Sequence, residues 1–153
     1  MVVRFLPRRP TVATIPGLDG QKMSKSYDNT VALFEEEKTL RKKIMAIPTD
    51  STPVEAPKDP ATSTIFGLYK LFASEPDVAQ MEADFRAGGV GYGEFKKRLF
   101  GAVWETFATA RARRADLECD AAYVDGVLRE GAVRARAVAV ETMSRVRSAV
   151  GLV

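Results

Sequence analysis

The sequence predicts a mainly α-helical protein, a helical bundle preceded by a loop-rich arm. Three observations carry this prediction. Pro7, Pro10, Pro16, Gly17 and Gly20 interrupt any periodicity over residues 1–30. Pro48, Pro53, Pro57 and Pro60 crowd residues 48–60. Beyond them apolar residues recur at three- and four-residue spacing, the helical period, to the end of the chain. A chain of 153 residues, 46% of them hydrophobic and 28% charged, is long enough for one core.

Taken in order, residues 1–30 form the arm, in which only residues 11–15 have the character of a short β stretch; residues 30–34 read as another. Glu35, Glu36 and Glu37 precede Arg41, Lys42 and Lys43. Acids at the start and bases at the end suit the helix dipole, and the spacing predicts a helix through about residue 46, stopped by Pro48. Residues 31–58 thus hold a short strand, this helix and a proline-rich linker. Residues 59–153 read as wholly helical. Asp59 is placed as N-cap with Pro60 at the first helical position, and Ile65, Phe66, Leu68, Tyr69, Leu71 and Phe72 give a face too broad for a solvent-exposed helix.

Ser74 and Asp77 resemble a capping box, and Gly88 with Gly89 ends the helix they start. Phe95, Leu99, Val103, Phe107 and Ala110 predict one long helix over residues 94–115. A shorter helix follows over residues 121–129. Glu130 and Gly131 then turn into a last helix through residue 150, with Ala135, Val138, Ala139, Met143, Val146 and Val150 inward.

Composition removes several chemistries. The single Cys119 forms no internal disulfide or cysteine cluster, and Glu118 and Asp120 beside it argue against a reactive thiolate. Without histidine the chain has no imidazole base, nucleophile or metal ligand, and no metal site is expected. No apolar run approaches the roughly 18 residues that span a bilayer, and no leader-like stretch follows Arg4, Arg8 and Arg9, so a cytoplasmic location is expected. The net charge of +3 is unevenly spread: residues 1–26 hold five basic side chains against Asp19, residues 27–85 six basic against eleven acidic, and residues 86–153 twelve basic against eight acidic. Basic ends of this kind suit polyanions, although solvated helix faces look the same in sequence.

The most informative stretch is Lys22, Met23, Ser24, Lys25 and Ser26, preceded by Gly17, Leu18, Asp19 and Gly20. Two lysines three apart, two hydroxyls and nearby glycines make a cationic loop able to wrap a polyphosphate. In adenylation, negative charge moves onto a pyrophosphate leaving group, and positioned ammonium groups lower that barrier. The lysines then act as electrostatic clamps rather than bases.

As a literal string, KMSKS resembles the second signature of class I aminoacyl-tRNA synthetases. Tyr27, Asp28 and Asn29 after it, Lys43, Ile44 and Met45, and Thr49, Asp50 and Ser51 are similar to the tryptophanyl and tyrosyl branch. Residues 89–97 (GVGYGEFKK), Arg111 and Arg113, and residues 131–136 (GAVRAR) resemble the carboxy-terminal region of bacterial tryptophanyl-tRNA synthetases. The resemblance covers about residues 12–153, and residues 1–11 show none. It implies that Lys22 and Lys25 hold ATP phosphates during amino-acid activation, with Met23, Ser24 and Ser26 completing the loop. It also implies Mg²⁺ accompanying ATP, tRNA as partner, and helices from about residue 60 that receive the anticodon stem and loop. The family's first signature, a His-Ile-Gly-His-like element of a Rossmann domain, has no counterpart here. The expectation is the distal portion of a tryptophan–tRNA ligase, inactive alone, or a non-catalytic RNA-binding module, or a piece completed by a separately encoded Rossmann half.

Lys96, Lys97 and Arg98 lie near the start of a predicted helix, where the dipole disfavours cations, and are candidates for tRNA contact with Arg111 and Arg113. The latter two equally suit a helix end. Arg129, Arg134, Arg136, Arg145 and Arg147 read mainly as a solvated face. Trp104 and Phe107 read as core, whereas Tyr92, between two glycines, suits a helix start and base stacking equally.

Overall fold

Side-chain caps start several of the helices, as in the computed structural model, which describes residues 14–152. Ser63 accepts from the Phe66 N–H and opens α2 (Thr64–Tyr69), and Ser74 accepts from the Asp77 N–H and opens α3 (Glu75–Ala87). Glu37 in the first turn and Lys42 and Lys43 in the last complement the dipole of α1 (Glu37–Met45). The other helices are α4 (Tyr92–Thr106), α5 (Ala108–Cys119) and α6 (Ala121–Ala149). The chain divides into two units, one through Ala108 and one from Thr109.

In the first unit α1, α2, α3 and α4 enclose one core. Leu40 and Ile44 come from α1, Ile65 and Phe66 from α2, Met81 and Phe85 from α3, and Phe95, Leu99 and Val103 from α4. Phe85 is the centre: its ring stacks on Phe95 at 3.9 Å and meets Phe66 at 5.8 Å. Full burial of such side chains contributes roughly 1.5–3 kcal/mol each. The Lys58 ammonium orders the proline-rich segment by donating to the carbonyls of Pro53, Val54 and Ala56. Gly88, at φ +75°, passes so close to that segment that a Cβ there would lie 2.4 Å from the Glu55 oxygen.

Several expectations are corrected. Residues 30–34 form no strand, because an extended segment needs a partner; the one β-type pairing among the described residues is an isolated bridge between Pro16 and Lys22. Residues 11–13 of the other expected strand lie outside the described residues. Asp59 accepts from the Ala61 N–H but caps only a turn, and the helix waits for Ser63. The long helix breaks at Phe107, whose ring turns edge-on to Phe72 at 5.9 Å.

In the second unit residues 121–149 are one continuous helix, about 43 Å long at 1.5 Å per residue. Gly131 does not end it. One glycine costs a helix only about 1 kcal/mol, and the alanines around it and the Glu130–Arg134 pair at i and i+4 favour continuation. The residues expected to face inward are exposed, Val138 at 68% and Val150 at 61%. Arg113 of α5 lies over the Tyr123 ring of α6 at 5.7 Å. Among the described residues no helix is long and apolar enough to cross a membrane.

Candidate functional site

The bridge between Pro16 and Lys22 closes a tight loop. Within it the Gly17 N–H donates to the Gln21 carbonyl at 2.6 Å and the Gly20 N–H to the Gly17 carbonyl at 3.0 Å. The chain then makes a single 3-10 turn, Lys25–Tyr27, capped by the Ser24 hydroxyl, which accepts from the Ser26 N–H at 3.2 Å. Asp28 ends the turn in the left-handed region at φ 49°.

Asn29 ties both segments together. It is 3% exposed; its Oδ1 accepts from the Ser24 N–H at 2.8 Å, and its Nδ2 donates to Asp19 Oδ1 at 2.8 Å and to the Lys22 carbonyl at 3.1 Å. Its own carbonyl accepts from the Leu18 N–H at 2.9 Å. Gly17 is needed beside it, since a Cβ there would lie 2.3 Å from Asn29 Nδ2. In sequence Asn29 stands out only within the family resemblance; a polar residue next to a glycine- and serine-rich stretch gives no local sign of burial.

Lys22, Lys25 and Ser26 are exposed, and Met23 and Ser24 half-buried. Neither lysine forms an ion pair with a described carboxylate. Two ammonium groups on flexible stems therefore extend from a hydrogen-bonded backbone, an arrangement suited to a polyphosphate chain. Among the described residues no group of three His, Cys, Asp or Glu side chains is placed to hold a metal ion.

The structure does not gather Lys96, Lys97 and Arg98 into one exposed cluster. Lys96 is 9% exposed and its ammonium donates to the Met45 carbonyl at 3.0 Å, the last residue of α1. Burial holds its pKa below the usual lysine value. A cation disfavoured at the start of its own helix is here satisfied at the carbonyl end of another. Arg98 pairs with Asp84, whose carboxyl is held below its ordinary pKa mainly by that hydrogen bond and further by Gln80. Arg98 also lies over the Phe95 ring at 5.8 Å. Only Lys97 is exposed, at 3.4 Å from Glu94. In the second unit Arg111 is half-buried, and Arg113, exposed, stacks on Tyr123.

Tyr92 is the first residue of α4 and packs inward. Its ring meets Phe85 edge-on at 6.4 Å and its hydroxyl donates to Asp50 Oδ1 at 2.9 Å. Burial and then the Asp50 bond raise its pKa, while hydrogen bonds from Thr52 and then Tyr92 lower that of Asp50. Trp104 and Phe107 are partly buried against the core. Arg129, Arg134, Arg136, Arg145 and Arg147 all lie exposed on α6.

Residues 4–108 match the family described as tRNA synthetases class I (W and Y). The match begins at residue 4, so most of residues 1–11, which show no resemblance by motif, fall within it. A tryptophan–tRNA ligase of Rhodopirellula baltica is 52% identical over 150 residues, covering 96% of this chain and 47% of that protein. One of Fusobacterium nucleatum is 44% identical, covering 92% and 43%. A crystal structure of tryptophanyl-tRNA synthetase from Campylobacter jejuni, complexed with ADP and tryptophan, has a TM-score of 0.85 and 41% identity, covering 92% of this chain and 44% of that one. The chain thus spans somewhat under half the length of these relatives. With more than half of its residues matched, a helical body like that of the Campylobacter jejuni protein and the KMSKS loop in place, the chain belongs to the class I tRNA synthetases of the tryptophan and tyrosine group.

Proposed function

We propose that this chain carries the ATP-phosphate loop and the tRNA-facing helices of a tryptophan–tRNA ligase. The observation that supports this best is the KMSKS stretch held on a hydrogen-bonded loop with both lysines exposed. In the proposed reaction the tryptophan carboxylate attacks the α-phosphorus of ATP, the bond to the β,γ-pyrophosphate breaks, and tryptophan then passes from the adenylate to tRNA. Lys22 and Lys25 offset the charge developing on the pyrophosphate, and Met23, Ser24 and Ser26 shape the loop around it. Mg²⁺ enters with ATP as part of the substrate.

Of the basic residues expected at tRNA, Lys97, Arg111 and Arg113 are the proposed contacts; Lys96 and Arg98 serve by holding α4 in place. These 153 residues contain no His-Ile-Gly-His-like element, so on their own they are proposed not to catalyse the reaction. Tryptophan-dependent pyrophosphate exchange by the 153-residue chain is expected not to exceed that of its Lys25→Ala variant, and a clear excess would refute this part of the reading.

A second reading, an RNA-binding module without catalysis, is favoured by the exposed arginines of α6. It requires tRNA binding that weakens steeply with salt and falls further on Lys97→Ala and Arg113→Ala substitution. A separately encoded Rossmann half finds no support among the similar proteins.

A further inference from the structure

We propose that Asn29 is a positioning residue for Lys22 and Lys25, setting their place along a polyphosphate that it does not itself touch. This rests on the reading of those lysines as phosphate ligands. The Asn29 amide is bonded on both sides: its oxygen takes the Ser24 N–H, one residue before Lys25, and its nitrogen gives to the carbonyl of Lys22 itself and to Asp19. A buried amide leaves such partners only by exposing unpaired polar atoms, so the spacing of the two lysine backbones is fixed by one side chain. The loop also stands on α2: a Cβ at Gly20, where φ is +83°, would lie 2.9 Å from Thr64 Oγ1, and one at Gly67 would lie 3.9 Å from Pro16. Two ammonium groups on a fixed base meet successive phosphates with less ordering cost than two on a free loop.

Trypsin cuts after Lys22 and Lys25, which gives two measurements on the intact 153-residue chain: the cutting rate without ligand, and the MgATP concentration that halves it. In Asn29→Ala, which loses all three hydrogen bonds of the buried amide, the cutting rate and the half-protecting concentration are both expected to rise by about tenfold or more. Asn29→Asp, which sets a carboxylate against Asp19 and the Lys22 carbonyl, is expected to behave likewise. Asp19→Asn alone keeps its acceptor and is expected to match the unsubstituted chain. The exchange Asp19→Asn with Asn29→Asp still sets a carboxylate against the Lys22 carbonyl and turns an amide N–H toward that of Gln21, so it is expected to stay as poorly protected as Asn29→Asp.

A wild-type cutting rate in Asn29→Ala overturns the proposal, as does faster cutting with an unchanged half-protecting concentration, which leaves Asn29 a purely structural role. Where Asn29→Ala fails to fold, a wild-type cutting rate and half-protecting concentration in Asn29→Asp overturn it. MgATP that protects neither the unsubstituted chain nor its Lys25→Ala variant refutes the phosphate reading itself. That failure is distinguishable, because the ligand-free rates of the variants still differ.

Discussion

Lys96→Ala separates a packing role from an RNA-binding one. The lysine stem is almost wholly buried between α4 and the end of α1, and at about 0.8 kcal/mol per buried methylene the loss of its three outer methylenes costs about 2.4 kcal/mol. The charged hydrogen bond to Met45 adds about 1.5–3 kcal/mol, offset in part because the ammonium no longer has to be desolvated. The net expectation is a destabilisation of about 2–4 kcal/mol, a fall in Tm of about 10–20 °C for a unit of this size. Lys96→Met keeps most of the stem and should stay within about 1 kcal/mol of wild type, whereas exposed Lys97→Ala should change stability by less than about 0.5 kcal/mol. Far-UV circular dichroism gives the transitions, and tRNA binding at low salt is measured on the same samples. Unchanged Tm with weakened tRNA binding in Lys96→Ala would refute the reasoning, since the ammonium would then be meeting phosphate rather than Met45. The sign of the pH dependence is a second check. Burial lowers the Lys96 pKa below 10.5, so the folded state loses its proton before the unfolded state does. Stability therefore rises with pH between the folded value and 10.5, a rise that Lys96→Met should lack.

Three further outcomes follow from the same geometry. The Asp84 carboxyl, held below 3.8 by Arg98, contributes stability above 3.8 that is lost as pH falls through its folded value; acid titration of Arg98→Ala should show that part missing, with a loss on the order of 1 kcal/mol at neutral pH. Gly17→Ala drives a Cβ to 2.3 Å from Asn29 and should open the lysine loop to trypsin as Asn29→Ala does, while hydrogen exchange at Leu99 stays slow. Val138→Glu on α6 should leave thermal unfolding within about 0.5 kcal/mol of wild type, because the side chain is 68% exposed; a large loss would place that face against a partner.

Much of the fold is legible locally. The capping serine Ser74, the glycines after α3 and the stripe of Phe95, Leu99 and Val103 all act within a turn or two of themselves, and all take the expected roles. The errors arise where local signals compete. Gly131 carries a turn signal, yet the surrounding helix formers outweigh it. Asp59 and Ser63 both suit a cap, and packing of Ile65 and Phe66 selects the later one.

The helical class, the proline-rich division and the KMSKS lysines are legible along the chain, because period, backbone-restricting residues and a literal motif are properties of neighbouring positions. Which polar groups are free to act depends on the folded arrangement. Lys96 and Lys97 are adjacent and chemically alike, yet one ends at a carbonyl contributed by Met45, 51 residues earlier, and the other remains exposed. Asn29 looks like any loop residue until Gly17, Asp19, Lys22 and Ser24 close around its amide. The physical reason is the same in both: burial and hydrogen-bond partnership depend on which distant backbone arrives beside a side chain, and no local period records that.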